Sequence, residues 1–534
     1  MRKLSRRGKG RVFPHPAKRC CCLSRISNVE SPHTRECAEK ATATRAGPGF
    51  VLTRAADGRT KQYHLDIEAA CRAYCLKSNM PEKQFIGRSA ELDGLRRRYE
   101  QAGAQLVLVY GRRRIGKSYL LEQFATGKPT VFYQATQQTE GSELASFTAA
   151  VRAVLGEGAL PPGYDFPGWG EALDFLSARN GERLVIILDE FPYLAASTTG
   201  LPSVVQRWWD QRGRSSNLML VLCGSAQRFM EELDGAAAPL HQRFTAKFHV
   251  RPLDYRTAAL FTPGLAGEDN ARVYAILGGT PLYLRQWDAA LDVRANLRVL
   301  FGDPASSLVD SAELTLSTDL EDARAPYRAL QAVALGATKH NEIRSRAKIT
   351  TDRTIQRLLN LDLLERRVPA TENADKSRRA SYAIGDPYYR FYFRFIAPQR
   401  GAIDRGLGAQ VVENIMTRLD EYMGLGFEEL ARSYARYLIA EGSLPGDAVS
   451  SWWSNDGQHE IDIVGTAARR PTFIGSVKWR REPLGEAALN DLERDAAVFD
   501  APNIPRLLVG RGGVRPDVAA RAGVRGVSAD DLYR

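Results

Sequence analysis

The feature that most constrains this chain is a glycine-rich segment between an apolar run and a helix-forming run. Residues 106–110 read LVLVY, which is typical of a buried β-strand, and residues 119–125 read YLLEQFA, which favours a helix. Between them stands the pattern G-x-x-x-x-G-K-S of a phosphate-binding P-loop. Its eight positions are Gly111, Arg112, Arg113, Arg114, Ile115, Gly116, Lys117 and Ser118. Strand, loop and helix in this order predict an α/β domain with a parallel sheet.

The residue types of this loop suit a nucleotide polyphosphate. Glycine lets the backbone curl so that successive N–H groups point at one anion, and the N-terminus of the following helix adds partial positive charge. We expect Lys117 to reach the β- and γ-phosphates of ATP and the Ser118 hydroxyl to bind Mg²⁺. ATP and Mg²⁺ are therefore the predicted ligands, and the predicted binding segment runs from Gly111 to Tyr119.

A second apolar run supplies carboxylates. Residues 184–190 read LVIILDE, so a predicted strand ends in Asp189 and Glu190. We expect Asp189 to hold Mg²⁺ through water and Glu190 to polarise the attacking water. With Lys117, these two side chains are the predicted catalytic residues, and the pair of patterns predicts hydrolysis of ATP as well as binding.

Together with these patterns, five further fragments resemble the archaeal-type ATPases of prokaryotes, on the signal-transducing (STAND) side of the AAA+ class. The fragments are FIGR (Phe85–Arg88), LDEFPYL (188–194), LCGSAQRFME (222–231), RPLDY (251–255) and GGTPLYL (278–284). The resemblance implies that Phe85, Ile86 and Arg88 lie near the adenine and that GGTPLYL belongs to a helical lid.

The same resemblance implies two polar groups near the γ-phosphate. In AAA-like sheets the strand after the Asp-Glu strand carries a polar sensor, and here the candidates are Ser225 and Gln227. A serine after glycine is also typical of a turn or helix cap. Arg243 stands where family members carry a basic residue, and the alternative is an ordinary surface arginine.

Charge and cysteine are concentrated at the start of the chain. The formal net charge is +12, but residues 1–80 hold 17 Lys and Arg against 6 Asp and Glu, so the remainder is nearly neutral. Six of the seven cysteines also lie there. We interpret residues 1–80 as a disordered leader or a misassigned start, with Met80 as the natural beginning. The longest apolar runs are far shorter than the roughly 20 residues of a membrane span, so we expect a cytoplasmic protein.

Residues 81–300 form the predicted ATPase domain with its lid, and residues 320–396 show the order of a winged helix. Three helix signals precede a hairpin, with a modest excess of basic residues that includes Arg353 and Arg357. Such a module binds double-stranded DNA through phosphate contacts or acts as an intramolecular hinge. The aromatic run DPYYRFYFRF at 386–395 favours packing between domains over base stacking.

Residues 405–534 resemble the C-terminal domain that accompanies archaeal-type ATPases, which is itself similar to PD-(D/E)xK restriction-type nucleases. By this resemblance Glu428, Asp462 and Lys478 match the family's site, with Asp462 as a possible metal ligand. The family's second strand carboxylate is replaced by Ser476. A hydroxyl is a poor ligand for a hard cation, so we predict a nuclease-like domain that is impaired in cleavage.

The predicted fold class is therefore α/β: a P-loop NTPase with a parallel sheet and helical lid, a winged helix, and a restriction-nuclease-like α/β domain. The favoured function is an ATP-hydrolysing molecular switch that is associated with DNA or a protein partner, and an oligomer is compatible with it. One alternative is a metal-dependent DNA nuclease that the ATPase regulates. Another is a protein-interaction scaffold that ATP stabilises.

Overall fold

The computed structural model describes residues 85–534, apart from 180, 321, 322, 350 and 351, and three strands that precede them. The chain divides into two compact units, residues 1–85 and 86–534. In the first unit the strands form an antiparallel sheet in the order β1-β2-β3, and their bounds are β1 Thr42–Ala46, β2 Gly49–Ala56 and β3 Arg59–Leu65.

These three strands lie within residues 1–80, and the interpretation of that segment as a disordered leader or a misassigned start stays a prediction. The remainder of the predicted leader lies outside the described residues.

A five-stranded parallel sheet forms the centre of the predicted ATPase domain, in the order β5-β6-β7-β4-β8. β4, β6 and β7 are buried along almost their whole length, as their apolar runs predict. All carboxyl ends meet at one edge, where ligands of open α/β sheets bind. The strands are β4 Gln105–Tyr110, β5 Thr130–Gln134, β6 Leu184–Asp189, β7 Leu218–Gly224 and β8 Ala246–His249.

Seven α-helices of the described chain accompany this sheet, and five of them, between residues 140 and 232, share one hydrophobic core with it. Every buried residue of this core lies between Ala104 and Leu240. The helices are α1 Ser89–Glu100, α2 Lys117–Ala125, α3 Glu140–Leu155, α4 Trp169–Ser177, α5 Phe191–Ser197, α6 Leu201–Gln211 and α7 Gln227–Glu232.

The lid region follows the sheet and is entirely helical. Leu253, which precedes its first helix, packs closely against Gly279. Leu253 N donates to Gly279 O at 2.8 Å, and a Cβ on Gly279 would lie 1.9 Å from Leu253 O. Only glycine fits there, so the RPLDY segment and the GGTPLYL segment lie in direct contact. The helices are α8 Tyr255–Ala259, α9 Gly267–Leu277, α10 Pro281–Leu284, α11 Val293–Phe301 and α12 Ser307–Asp319.

The next module consists of three helices and an antiparallel two-stranded sheet. A continuous helical segment follows, with a π-helix at Tyr392–Ile396 between two α-helices. The aromatic run lies here, and five of its side chains are fully buried, which confirms packing as its role. The elements are α13 Arg324–Ala334, α14 His340–Ala347, α15 Arg353–Asn360, β9 Leu364–Arg367, β10 Ser381–Ile384, α16 Pro387–Phe391 and α17 Arg400–Asp404.

The C-terminal region is a five-stranded mixed sheet in sequence order, β11 to β15. The first three strands are antiparallel, and β13, β14 and β15 are parallel. The elements are α18 Gly408–Met416, α19 Leu419–Ala440, β11 Ala448–Trp453, β12 Glu460–Ala467, β13 Arg470–Lys478, α20 Glu486–Ala496, β14 Arg506–Gly510, α21 Pro516–Ala519 and β15 Val524–Val527.

A single hydrophobic core joins the lid, the three-helix module and one face of the C-terminal sheet. Its buried residues run from Leu253 to Leu532. Within it, the Tyr422 hydroxyl on α19 donates to Ala275 O on α9 at 2.8 Å. None of the helices in the described part of the chain is long and apolar enough to cross a bilayer.

Candidate nucleotide-binding site

The P-loop connects β4 to α2 at the carboxyl edge of the sheet. Two of its glycines are required by geometry. Gly111 has φ +150°, and a Cβ there would lie 2.2 Å from Val250 O. Gly116 has φ +90° and immediately precedes the first residue of α2. A side chain at either position would strain the backbone, so the loop keeps the curvature that directs N–H groups toward one anion.

Lys117 lies buried inside the curve of the loop. Its ammonium donates to Gly111 O at 2.9 Å, to Arg112 O at 3.0 Å and to Ser225 Oγ at 2.8 Å. These contacts hold a compact positive charge between the loop and the end of β7. A phosphate that entered the loop would meet this charge directly.

The predicted magnesium ligands are adjacent. Ser118 Oγ donates to Asp189 Oδ2 at 2.6 Å, which brings a hydroxyl and a carboxylate together at the start of α2. Hard oxygen ligands of this kind suit Mg²⁺, which binds proteins through few side chains and completes its shell with water and phosphate. The donor set therefore fits a magnesium ion that is bound with a nucleotide.

Glu190 faces the same edge in a left-handed backbone conformation, with φ 53°. Its Oε1 accepts from Ser225 Oγ at 2.8 Å, and its Oε2 accepts from Ser225 N at 3.3 Å. Ser225 thereby links the predicted base to the Lys117 ammonium. The other sensor candidate, Gln227, pairs instead with the His249 ring at 2.9 Å. Of the two sensor candidates, Ser225 is therefore the one that contacts Lys117 and Glu190.

The side chains of the three loop arginines bond to neighbouring elements of the protein. Arg112 forms a buried ion pair with Asp386 at 2.8 Å. Arg113 donates to the Tyr193 hydroxyl, and Arg114 donates to Ser311 Oγ at 2.6 Å. Their backbone still forms the loop, while their guanidinium groups fasten it to neighbouring elements.

Sequence reasoning did not identify these fastening partners. Asp386 caps α16 by accepting from Tyr389 N at 3.1 Å, and an Asp before Pro is a recognisable capping signal. That signal does not indicate that the same carboxylate binds an arginine on the P-loop. Although burial disfavours the charged form of Arg112, the Asp386 charge raises its pKa above the ordinary value.

The segment predicted to lie near the adenine adjoins the loop. The Arg88 guanidinium donates to Ile115 O at 3.1 Å and pairs with Glu91 at 2.9 Å. Phe85 and Ile86 are half-buried, whereas Ile115 is buried. Arg243 binds Asp210 on α6, with Nη2 to Oδ2 at 2.7 Å and Nε to Oδ1 at 3.0 Å.

A second candidate site lies in the C-terminal domain. Asp462 Oδ2 accepts from Val477 N at 2.7 Å, from Ser476 Oγ at 3.2 Å and from Lys478 Nζ at 3.3 Å. Arg432 lies 3.5 Å from Glu428 and donates to Asp462 O at 3.0 Å. The structure thus brings together the residues that three separated fragments predicted.

Metal-ligating groups are sparse at this second site. Within the described ranges, no cluster of three or more His, Cys, Asp or Glu side chains could hold a metal ion. Ser476 occupies the position beside Asp462 where a second carboxylate on β13 would point. Lys478 and the backbone N–H of Val477 therefore satisfy Asp462 within the protein.

The half-buried Glu428 carboxyl predicts that stability depends on pH. Burial and the charge of Asp462 raise the pKa of Glu428 to about 7. Because an unfolded Glu has a pKa of about 4.3, the folded state holds this proton more tightly. The stabilisation is complete below the unfolded pKa and is lost as pH rises through the folded pKa. From about pH 5 to pH 8, the wild type should lose roughly 2 kcal/mol of unfolding free energy relative to Glu428→Gln.

Urea unfolding at a series of pH values measures this difference. Glu482→Gln is the matched control, because Glu482 is exposed and its carboxyl makes no ion pair with any residue in the described ranges. Parallel pH slopes for wild type and Glu428→Gln would contradict the raised pKa.

Two segments of this chain match known families of protein domains. Residues 85–287 match the family of ATPase domains found predominantly in Archaea, and residues 392–492 match a domain of unknown function in archaeal and bacterial proteins. An uncharacterised protein of Methanocaldococcus jannaschii is 26% identical over 412 residues, which cover 74% of this chain and 88% of that protein. An uncharacterised ATP-binding protein of the same organism is 41% identical over 44 residues, which cover 8% of this chain and 75% of that protein.

Among solved structures, the Walker-type ATPase of Pyrococcus abyssi is similar, with a TM-score of 0.44 and 20% identity. The match covers 59% of this chain and 97% of that one. The family match of residues 85–287 coincides with the P-loop, the Asp-Glu strand and the first turns of the lid. The chain therefore contains an ATPase domain at residues 85–287, and residues 392–492 are similar to a domain of unknown function.

Proposed function

We propose that ATP hydrolysis at the P-loop operates a conformational switch. The observation that carries this proposal is the fastening of the loop by its own arginines. Arg112 binds Asp386 at the start of α16, and Arg114 binds Ser311 on α12. Any shift of the loop on binding or losing a γ-phosphate would act on both elements, because packed interfaces respond in discrete steps. The nucleotide state would thus be passed to the lid and to the modules beyond it.

The three-helix module is the proposed output toward DNA. Its helices and two-stranded sheet follow in the order of a winged helix, whose third helix would be α15. Arg353 and Arg357 lie on α15, and they line cavities shared with α7 of the ATPase domain. A switch that separated α15 from α7 would expose these arginines to DNA phosphates.

ATP turnover with and without double-stranded DNA tests this function. The full chain should hydrolyse ATP faster when duplex DNA is added, and the increase should fall with rising salt because phosphate contacts are salt-sensitive. A parallel preparation of Lys117→Ala identifies contaminating ATPase. If ATP turnover at low salt is the same with and without DNA, the three-helix module does not act on DNA, and a protein partner becomes the favoured output.

A nuclease role for the C-terminal domain is the second candidate. The assembly of Glu428, Asp462 and Lys478 around one end of β12 and β13 favours it, and Ser476 weighs against cleavage. Nicking of a supercoiled plasmid with Mg²⁺ or Mn²⁺ is the direct assay. Activity that Asp462→Ala removes would establish this candidate, and no nicking by the wild type would exclude it.

A further inference from the structure

A cavity of about 420 Å³ adjoins the end of the nucleotide site. One wall contains Ser225 and the first residues of α7, and the opposite wall contains Arg357, Asn360 and Leu361. The cavity therefore connects the ATPase domain to the three-helix module. Because Ser225 bonds both Lys117 and Glu190, the cavity opens next to the γ-phosphate end of the site.

The Arg357 side chain lines this cavity and is not engaged by another side chain that the structure describes. It is half-buried, yet its guanidinium forms no hydrogen bond or ion pair with any residue that the structure describes. Partial burial of an unpaired cation is unfavourable, and an anion beside it would remove that cost. Of the carboxylates that line the same cavity, Glu232 already pairs with Arg228 at 2.6 Å, and Glu231 is solvent-exposed.

Other arginines near the loop are already engaged. Arg112, Arg113 and Arg114 are held by Asp386, Tyr193 and Ser311, as described above. Arg243 is held by Asp210. Lys117 is then the cation in place for a triphosphate, whose transferred group bears negative charge on three oxygens. A second cation at the γ-phosphate end would balance that charge, and a guanidinium binds phosphate oxygens in a bidentate manner.

From these contacts we propose that Arg357 binds the terminal phosphate of ATP across this cavity. The inference rests on the proposed placement of the nucleotide at the P-loop. It adds a phosphate-binding residue from the three-helix module, more than two hundred residues away in the chain. ADP lacks the phosphate that Arg357 would contact, so the residue discriminates ATP from ADP. It also ties α15 to α7 in the ATP-bound state.

The test is a comparison of nucleotide affinities in the full chain. Titration calorimetry with Mg²⁺ and a non-hydrolysable ATP analogue, and separately with ADP, gives the two dissociation constants. Arg357→Ala should weaken binding of the analogue by about 10- to 100-fold, as expected for loss of a charge-assisted contact, and leave ADP binding within about twofold. Arg357→Lys should retain part of the preference, because it keeps the charge and loses the bidentate geometry.

Two controls keep the outcomes distinct. Arg346→Ala removes the same charge from an exposed position on α14 and should change neither affinity. Lys117→Ala should weaken both nucleotides, and if it weakens neither, the nucleotide placement itself is wrong. If Arg357→Ala changes neither affinity, or changes both equally, the proposed contact is wrong. Should Arg357→Ala fail to fold, Arg357→Gln is judged by the same criterion.

Discussion

Glu190→Gln is expected to slow ATP turnover by about 10²- to 10⁴-fold while ATP still binds. The glutamine amide is nearly the same size as the carboxylate and can still accept from Ser225 Oγ, so the contacts between Ser225 and Lys117 should persist. What is lost is a negatively charged group that attracts a proton from the attacking water. Binding depends on the loop and on Lys117, which the substitution leaves intact.

Single-turnover hydrolysis and nucleotide titration on the same preparation measure the two effects separately. Glu122→Gln is the matched control, because Glu122 is exposed on α2 and should leave turnover unchanged. Turnover by Glu190→Gln that stays within about threefold of wild type would assign the base to another group.

Asp386→Ala is expected to destabilise the protein by about 3–5 kcal/mol, because it leaves the buried Arg112 guanidinium without its counter-charge. Arg112 and Asp386 are both almost fully buried, and Arg112 also lies 5.4 Å from the centre of the Tyr389 ring. The same carboxylate caps α16, so the change removes a cap as well. The double variant Arg112→Met, Asp386→Leu should recover much of the loss, since replacing a buried ion pair by apolar groups is often neutral.

Urea unfolding followed by tryptophan fluorescence gives the free energies of unfolding for this cycle. Asp491→Ala, which breaks an exposed ion pair with Arg494, is the control and should change stability by less than about 1 kcal/mol. If Asp386→Ala also lowers the free energy of unfolding by less than about 1 kcal/mol, Arg112 has found another partner. The loop would then not be fastened to α16 by this pair.

The ATPase site was the part of the fold that the sequence could predict. The spacing of Gly111, Gly116 and Lys117 is local, and β4 and β6 are apolar runs that end where the polar residues begin. Placement of Ser118 beside Asp189 then follows from a parallel sheet whose carboxyl ends share an edge. In the C-terminal domain, the site residues were predicted from the family resemblance, because three separate fragments matched the family's site.

Long-range pairings could not be predicted in this way. Nothing in the sequence pattern joins Arg112 to Asp386 or places Arg357 on the same cavity as Ser225, because such arrangements depend on how whole modules pack. The left-handed backbone at Glu190 has no sequence signal either, since glutamate rarely adopts it. The sequence shows Ser476 as a departure from the family pattern, but its hydrogen bond to Asp462 depends on how β12 pairs with β13.

The two hydrophobic cores divide the chain at a place that its family boundaries do not mark. One core ends at Leu240 and the next begins at Leu253, so the division falls inside the segment 85–287 that matches the ATPase family. A fragment that stops at residue 287 would keep the sheet and leave the lid without most of the apolar surface that covers it. Such a fragment should aggregate even though it contains every phosphate-binding residue of the loop. If this protein is divided into fragments or fused to another, the boundary should therefore fall in the short segment before Leu253. The lid should stay with the C-terminal part of the chain.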